Sequence, residues 1–305
     1  MWGSAFMFTK IALAALTPSA IVVGRLAVGA LVLLTLAGLG RRRLPGFGRL
    51  WLFFIAIAVL GYCLPFLLIS WGQQRIDSGL AGILMAVMPL VTVVLAHFFV
   101  QGERITTVRA GGFLVGFAGI VLLMGPDAVL GLREGRGDFL PELAVLAGAV
   151  CYSVSVIVAR LRPESDALVS AAAVLLLASL LSAPLISTPG EGELANLSVG
   201  SSLAVAFLGV FSTGVATVVY FRLLTSAGPS FLSLINYLIP LWAVGVGAAF
   251  LGERLETNDF YALVLILGGI ALTQIGQPPQ PGLGPDQDEE APRAPAAEAR
   301  GDGGP

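Results

Sequence analysis

The sequence predicts an all-α membrane protein of about ten transmembrane helices, arranged as two inverted five-helix repeats. Three observations predict it. Apolar runs of about 18 residues or more recur along the chain, each long enough to cross a hydrocarbon core of about 30 Å. Only 12% of the 305 residues are charged, about half the ~25% usual in a soluble domain, and mean hydropathy is +0.90. A Pro…Gly-Glu-Arg pattern also occurs twice, in the fourth and the ninth run. The runs are continuously apolar and lack the in-out alternation of a membrane β-barrel strand.

Taken in order, hydropathy places spans at 2–16, 19–39, 50–70, 78–100 and 107–124, then at 141–160, 167–187, 201–224, 229–251 and 257–276. The first is short: about 15 residues at 1.5 Å each reach only about 22 Å. Either that helix does not cross fully or the natural start lies upstream of Met1. The stretch 126–139 reads as the loop between a first repeat (1–125) and a second (140–276). Residues 277–305, rich in Pro, Gly and acid, read as a disordered tail. Six acidic residues and two arginines give that tail a net charge of −4, which leaves 15 basic against 13 acidic residues in the membrane body.

Orientation follows from the loop arginines. Arg41, Arg42, Arg43, Arg49, Arg104, Arg109, Arg160, Arg162, Arg222, Arg293 and Arg300 fall on one side. Arg75, Arg133, Arg136 and Arg254 fall on the other. Both termini are therefore expected in the cytoplasm, with the chain in the inner or plasma membrane.

The repeat is legible in detail. Pro89 precedes Gly102, Glu103 and Arg104 at the end of the fourth span, and Pro240 precedes Gly252, Glu253 and Arg254 at the end of the ninth. An odd number of spans per copy turns the second copy upside down, so the two Gly-Glu-Arg turns should face opposite sides. Glycine can end a helix in the left-handed conformation, and Thr106 and Thr257 are placed to cap the helices that follow.

The stretch from Trp2 to Lys10, the two Pro…Gly-Glu-Arg segments and the run Gly119 to Leu123 resemble EamA proteins of the drug/metabolite transporter superfamily. The resemblance covers about residues 1 to 276. It implies a ten-helix basket around a central cavity, and an activity of exporting small metabolites, amino acids or related amphipathic compounds among them.

Polar groups inside the bilayer are the candidate substrate contacts, because each is costly unless it faces protein or water. Lys10 and Arg25 lie about seven residues before and after the first hairpin turn at Thr17-Pro18, so two cations share one depth. They should diverge, snorkel outward or bind one anionic group, with Lys10 ranked ahead of Arg25. Tyr62, Tyr152, Ser155 and Asn236 join them. Thr213, Thr217 and Tyr220 stand at i, i+4 and i+7 on one helical face. Pro89 and Pro240 are candidate hinges, since each ring disrupts the backbone bond to the carbonyl four residues earlier. Trp71, Gln73, Gln74 and Arg75 read as an interfacial belt. The Gly112/Gly116 stripe and the Gly268-Gly269 pair read as close helix packing, with a homodimer seam as the alternative.

Several classes are excluded. No carboxylate lies in the middle of any span, His97 is the lone histidine, and Cys63 and Cys151 read as small apolar residues. No cofactor or metal site is implied, nothing resembles a nucleic-acid footprint, and the parts of a membrane enzyme are missing. A non-transporting scaffold or sensor is the remaining rival, but the tail does not supply the folded soluble domain expected of one; an uptake permease or exchanger of the same fold is a further alternative. The partners expected are a small metabolite and the lipid bilayer. Deleting residues 280–305 should leave transport intact; loss of flux in correctly inserted protein would give the tail a role.

Overall fold

Outside its turns and caps, the chain is helical throughout the described residues, as a bilayer requires of any open segment. The computed structural model describes residues 1–100, 105–134, 139–186, 198–226 and 228–275, with side chains at 125–134, 224–226, 228–234 and 236–237 left aside. The Gly102-Glu103-Arg104 turn, the tail 277–305 and the side chain of Asn236 therefore lie outside the described residues.

The helices are α1 (Trp2–Leu13), α2 (Pro18–Leu39), α3 (Arg49–Gly72), α4 (Ser78–Phe99) and α5 (Thr107–Glu134). The second half holds α6 (Leu140–Leu161), α7 (Ala167–Leu185) and α8 (Val199–Leu223). It ends with α9 (Gly228–Val246, extended by a π-helical turn Gly247–Leu251) and α10 (Thr257–Ile275). Most boundaries fall within about two residues of those read from hydropathy, as fits a signal fixed by bilayer thickness. Two differ more. The first helix stops at Leu13, because Thr17 caps α2 by accepting from the Ala20 N–H. Helix α5 continues to Glu134, so much of the expected loop 126–139 is helical; Ala128, Val129, Leu130 and Leu132 favour extending the helix beyond Gly125-Pro126.

The two halves are inverted, and the α5–α10 pair makes this plain. At one end of the pair Asn258 Nδ2 donates to the Leu122 carbonyl (2.6 Å). At the other end Gly112 lies against Gly269 and Thr273. The helices are thus antiparallel, so the turn entering α5 and the turn entering α10 lie on opposite faces. We call the face where α5 begins face A and the face where α10 begins face B. At face B, Gly252 has φ +68°, the left-handed conformation expected of it. Thr106 accepts from the Arg109 N–H as a cap of α5. At α10 the capping carboxylate belongs to Asp259, which accepts from the Glu256 N–H, so Thr257 is the first helical residue and not the cap.

Lipid supplies little drive for helices to associate, so close backbone contact does much of that work. A Cβ on Gly269 would stand 2.4 Å from the Gly116 nitrogen and 2.5 Å from the Gly112 carbonyl oxygen. The glycine stripe is therefore used within the chain. A second close approach joins α2 to α8 at Gly29 and Gly209. The largest buried cluster, from Leu26 and Leu33 to Phe54 and Leu175, ties α2, α3 and α7 together. Leu31, Leu52, Phe98 and Leu238 point outward, as lipid-facing residues do.

Gly269→Ala should lower thermal stability by about 1–3 kcal/mol, the usual cost of overpacking. Gly268→Ala should be neutral, since nothing lies within 4 Å of its added carbon. Melting of the two purified variants in one detergent tests this pair; equal melting points would remove the seam from the account.

Candidate functional site

Helix irregularities surround a cavity between the two halves. Helix α3 widens to a π turn at Val59–Cys63, and α8 does so over Leu208–Val215. These are the third helices of their repeats, and such bulges often accompany functional sites. Helix α4 breaks at Ala86-Val87, where the Ala86 and Val87 N–H groups bond only three residues back, to Ile83 and Leu84. The break lies just ahead of Pro89, whose ring cannot continue the bonding to Met85. The Met88 carbonyl next to the break accepts from Ser153 Oγ (2.9 Å) and Thr92 Oγ1 (2.8 Å). Pro240, by contrast, sits inside an uninterrupted helical stretch.

The cavity measures about 270 Å³. Of the residues singled out from sequence, Arg25, Tyr62, Tyr152, Ser155, Thr217 and Tyr220 line it, as do Pro89 and Pro240. Thr213 stands directly behind, accepting a hydrogen bond from Arg25 Nε at 3.1 Å. The polar face of α8 is wired to the opposite wall. Thr217 Oγ1 donates to the Thr213 carbonyl, which leaves it to accept from the Tyr62 hydroxyl at 2.9 Å. The Arg25 guanidinium carbon lies 3.6 Å from the centre of the Phe66 ring, a cation–π contact.

Lys10, ranked first among the candidate substrate contacts, pairs with backbone carbonyls instead. Its ammonium donates to the carbonyls of Gln73 (3.0 Å) and Ile76 (2.7 Å), and it does not line the cavity. The two cations of equal depth diverge: Lys10 turns to the loose carbonyls at the end of α3, and Arg25 turns inward. Gln73 also departs from the interfacial belt. It is fully buried, and its Nε2 donates to the Phe6 carbonyl at 3.0 Å.

Two cavity arginines entered the sequence reading only as markers of orientation. Arg109 occupies the first turn of α5 and Arg160 the last turn of α6; both line the cavity. A helical signal existed for one of them: Tyr152, Val156 and Arg160 recur at i, i+4 and i+8 on a single stripe of α6. Among the described lining residues there is no Asp, Glu, Lys or His, so every formal charge is positive.

Arg109, Arg160 and Gln274 all sit at helix ends on face A, so the cavity reaches that face. At face B the two halves are joined by hydrogen bonds. The Glu253 carboxylate accepts from the Ser78 N–H (2.8 Å), the Ser78 hydroxyl (2.8 Å) and the Gly79 N–H (2.9 Å). A carboxylate from the second half thus caps the N-terminus of α4 in the first, where the helix dipole favours negative charge.

Comparison with known proteins agrees with this architecture. The sequence profile of the EamA-like transporter family matches residues 1–125 and 140–275. A chloroplastic WAT1-related protein of Arabidopsis thaliana is 29% identical over 89% of this chain and 66% of its own length. Protein PagO of Salmonella typhimurium is 26% identical over 90% of each chain. The uncharacterized inner membrane transporter YedA of Escherichia coli K12 is 25% identical over 91% of this chain and 88% of its own. A solved crystal structure superposes with a TM-score of 0.64 at 21% identity, covering 90% of this chain and 93% of that one. At that identity it speaks for the fold alone.

Lys10→Met leaves two carbonyls at the α3–α4 corner without a partner, a loss of about 1–3 kcal/mol. The variant should melt lower while ligand affinity at the cavity changes little. Unchanged melting combined with collapsed affinity would return Lys10 to the substrate.

Proposed function

We propose, from the premise that this chain belongs to the EamA-like transporter family and is a multi-pass membrane transporter, that it is a secondary transporter working by alternating access. The two repeats rock around the cavity that holds Arg25, Tyr62, Tyr152, Ser155 and Thr217. Its substrate is a small amphipathic metabolite, an amino acid or a related compound. The single observation that carries this reading is the asymmetry of the cavity, whose lining extends to face A while Glu253 bridges the two halves across face B. Closed at one end and reachable from the other is what one half-cycle of alternating access demands.

The loop arginines make face A the cytoplasmic one, with both termini inside the cell. On that assignment the cavity is reached from the cytoplasm, which suits export; the resemblance to metabolite exporters points the same way. The rocking units in this scheme are a first repeat to residue 125 and a second from 140. Release at face B requires the Glu253 contacts with Ser78 and Gly79 to part.

Proteoliposomes containing the purified chain should show saturable flux of a metabolite first identified by thermal stabilisation. A Thr92→Cys variant, in a background with Cys63 and Cys151 replaced, should lose most of that flux when a bulky thiol reagent is attached inside the cavity. Flux that persists after complete labelling would move the substrate path elsewhere. Absence of flux for every stabilising compound would overturn the transporter mechanism.

A further inference from the structure

We infer that the cavity takes its substrate by an anionic group, a carboxylate held at Arg25, and so selects organic anions over cations of the same size. This inference rests on the transporter reading of the same cavity. It begins from the cost of a charge inside a membrane, which persists only where something compensates it. Arg25 is 5% exposed, lies on α2 well inside the span and lines the cavity. Its compensation within the protein is neutral: one threonine oxygen at Nε and the face of Phe66. Among the described residues its hydrogen bond runs from Nε to Thr213, and no carboxylate forms an ion pair with it.

A guanidinium offers its donors as a planar fork, and a carboxylate matches that fork with two parallel bonds. Thr213 and Phe66 hold the group at the cavity wall before any ligand arrives. A second polar group waits nearby on α3, one helical turn beyond Phe66. Ser70 Oγ is buried, lines the cavity and has no hydrogen-bond partner among the described residues. The rest of the electrostatics point the same way. The other charged residues of the lining, Arg109 and Arg160, carry the same sign, and like charges along a low-dielectric cleft focus a field that draws anions and repels cations. Trp2, Phe6, Met85 and Ile239 supply apolar wall for the body of the ligand. An amphipathic carboxylate fits this combination; an amine of the same shape meets three guanidinium groups and no acid.

The test uses the full chain purified in detergent and ligands that differ only in charge. One set is phenylpropionate, phenylpropionamide and phenylpropylamine; a second is hexanoate and hexylamine. Calorimetric titration and thermal stabilisation should show each anion binding at least about tenfold more tightly than its neutral or cationic partner, in keeping with charge-assisted bonds. In Arg25→Gln that preference should fall to near unity, and Arg25→Lys should keep part of it. Amines that bind as well as the anions, an anion preference that survives Arg25→Gln, or no anion binding at millimolar concentration would each overturn the inference. The comparison on the unmodified chain needs no variant, so it remains decisive if Arg25→Gln fails to fold. The two readings fail separately: Arg25-dependent anion binding without flux sinks transport alone, whereas saturable flux of the amines sinks anion selection alone.

Discussion

Inside a bilayer a polar group must find its partner within the protein, and much of this structure follows from how it meets that demand at one corner. Where α3 ends and α4 begins, the backbone leaves carbonyls on one side of the turn and N–H groups on the other. The ammonium of Lys10 takes the carbonyls of Gln73 and Ile76; the carboxylate of Glu253 takes the N–H groups of Ser78 and Gly79. Each charge has the sign that its helix end favours. Lys10, from α1, ties the corner within its own half, while Glu253, from the turn after α9, joins it to the second half at face B.

Arg25 answers the same demand in another way. It lies at a depth comparable to Lys10, yet it meets a hydroxyl and an aromatic ring where Lys10 meets carbonyls that need a donor. A cation consumed by the protein's own carbonyls stiffens a corner. A cation held against Phe66 at a cavity wall stays beside the space that the cavity encloses. The π turns of α3 and α8 belong to the same design, since Gly61 and Tyr62 in one and Ser212 in the other line the cavity.

Hydropathy made the spans legible almost residue by residue, because bilayer thickness writes itself directly into run length. The repeated proline and Gly-Glu-Arg pattern made the inversion legible, and the i, i+4, i+7 spacing made the wet face of α8 legible. Sequence ranked Lys10 ahead of Arg25, whereas it is Arg25 that lines the cavity. Depth was the same for both, and the choice turned on carbonyls at Gln73 and Ile76 that come close only in three dimensions. Arg109 and Arg160 were hidden for another reason: arginines at helix ends are the ordinary signal of topology, and that reading satisfied the pattern without any cavity. Glu253 was masked likewise, as a charge at a turn that would sit at ease among lipid headgroups.

The Glu253 contacts read mostly main chain. Two of its three donors are peptide N–H groups that any residue but proline would present at those positions, and the third is the hydroxyl of Ser78. The burden of sequence conservation across this joint therefore falls unevenly. The acid must stay an acid of that length, while its docking point on α4 is free to drift among many side chains so long as the helix starts at the same residue. A joint of that kind tolerates divergence between the two halves of a duplicated chain, because one half has only to keep a helix beginning in place for the other to grip.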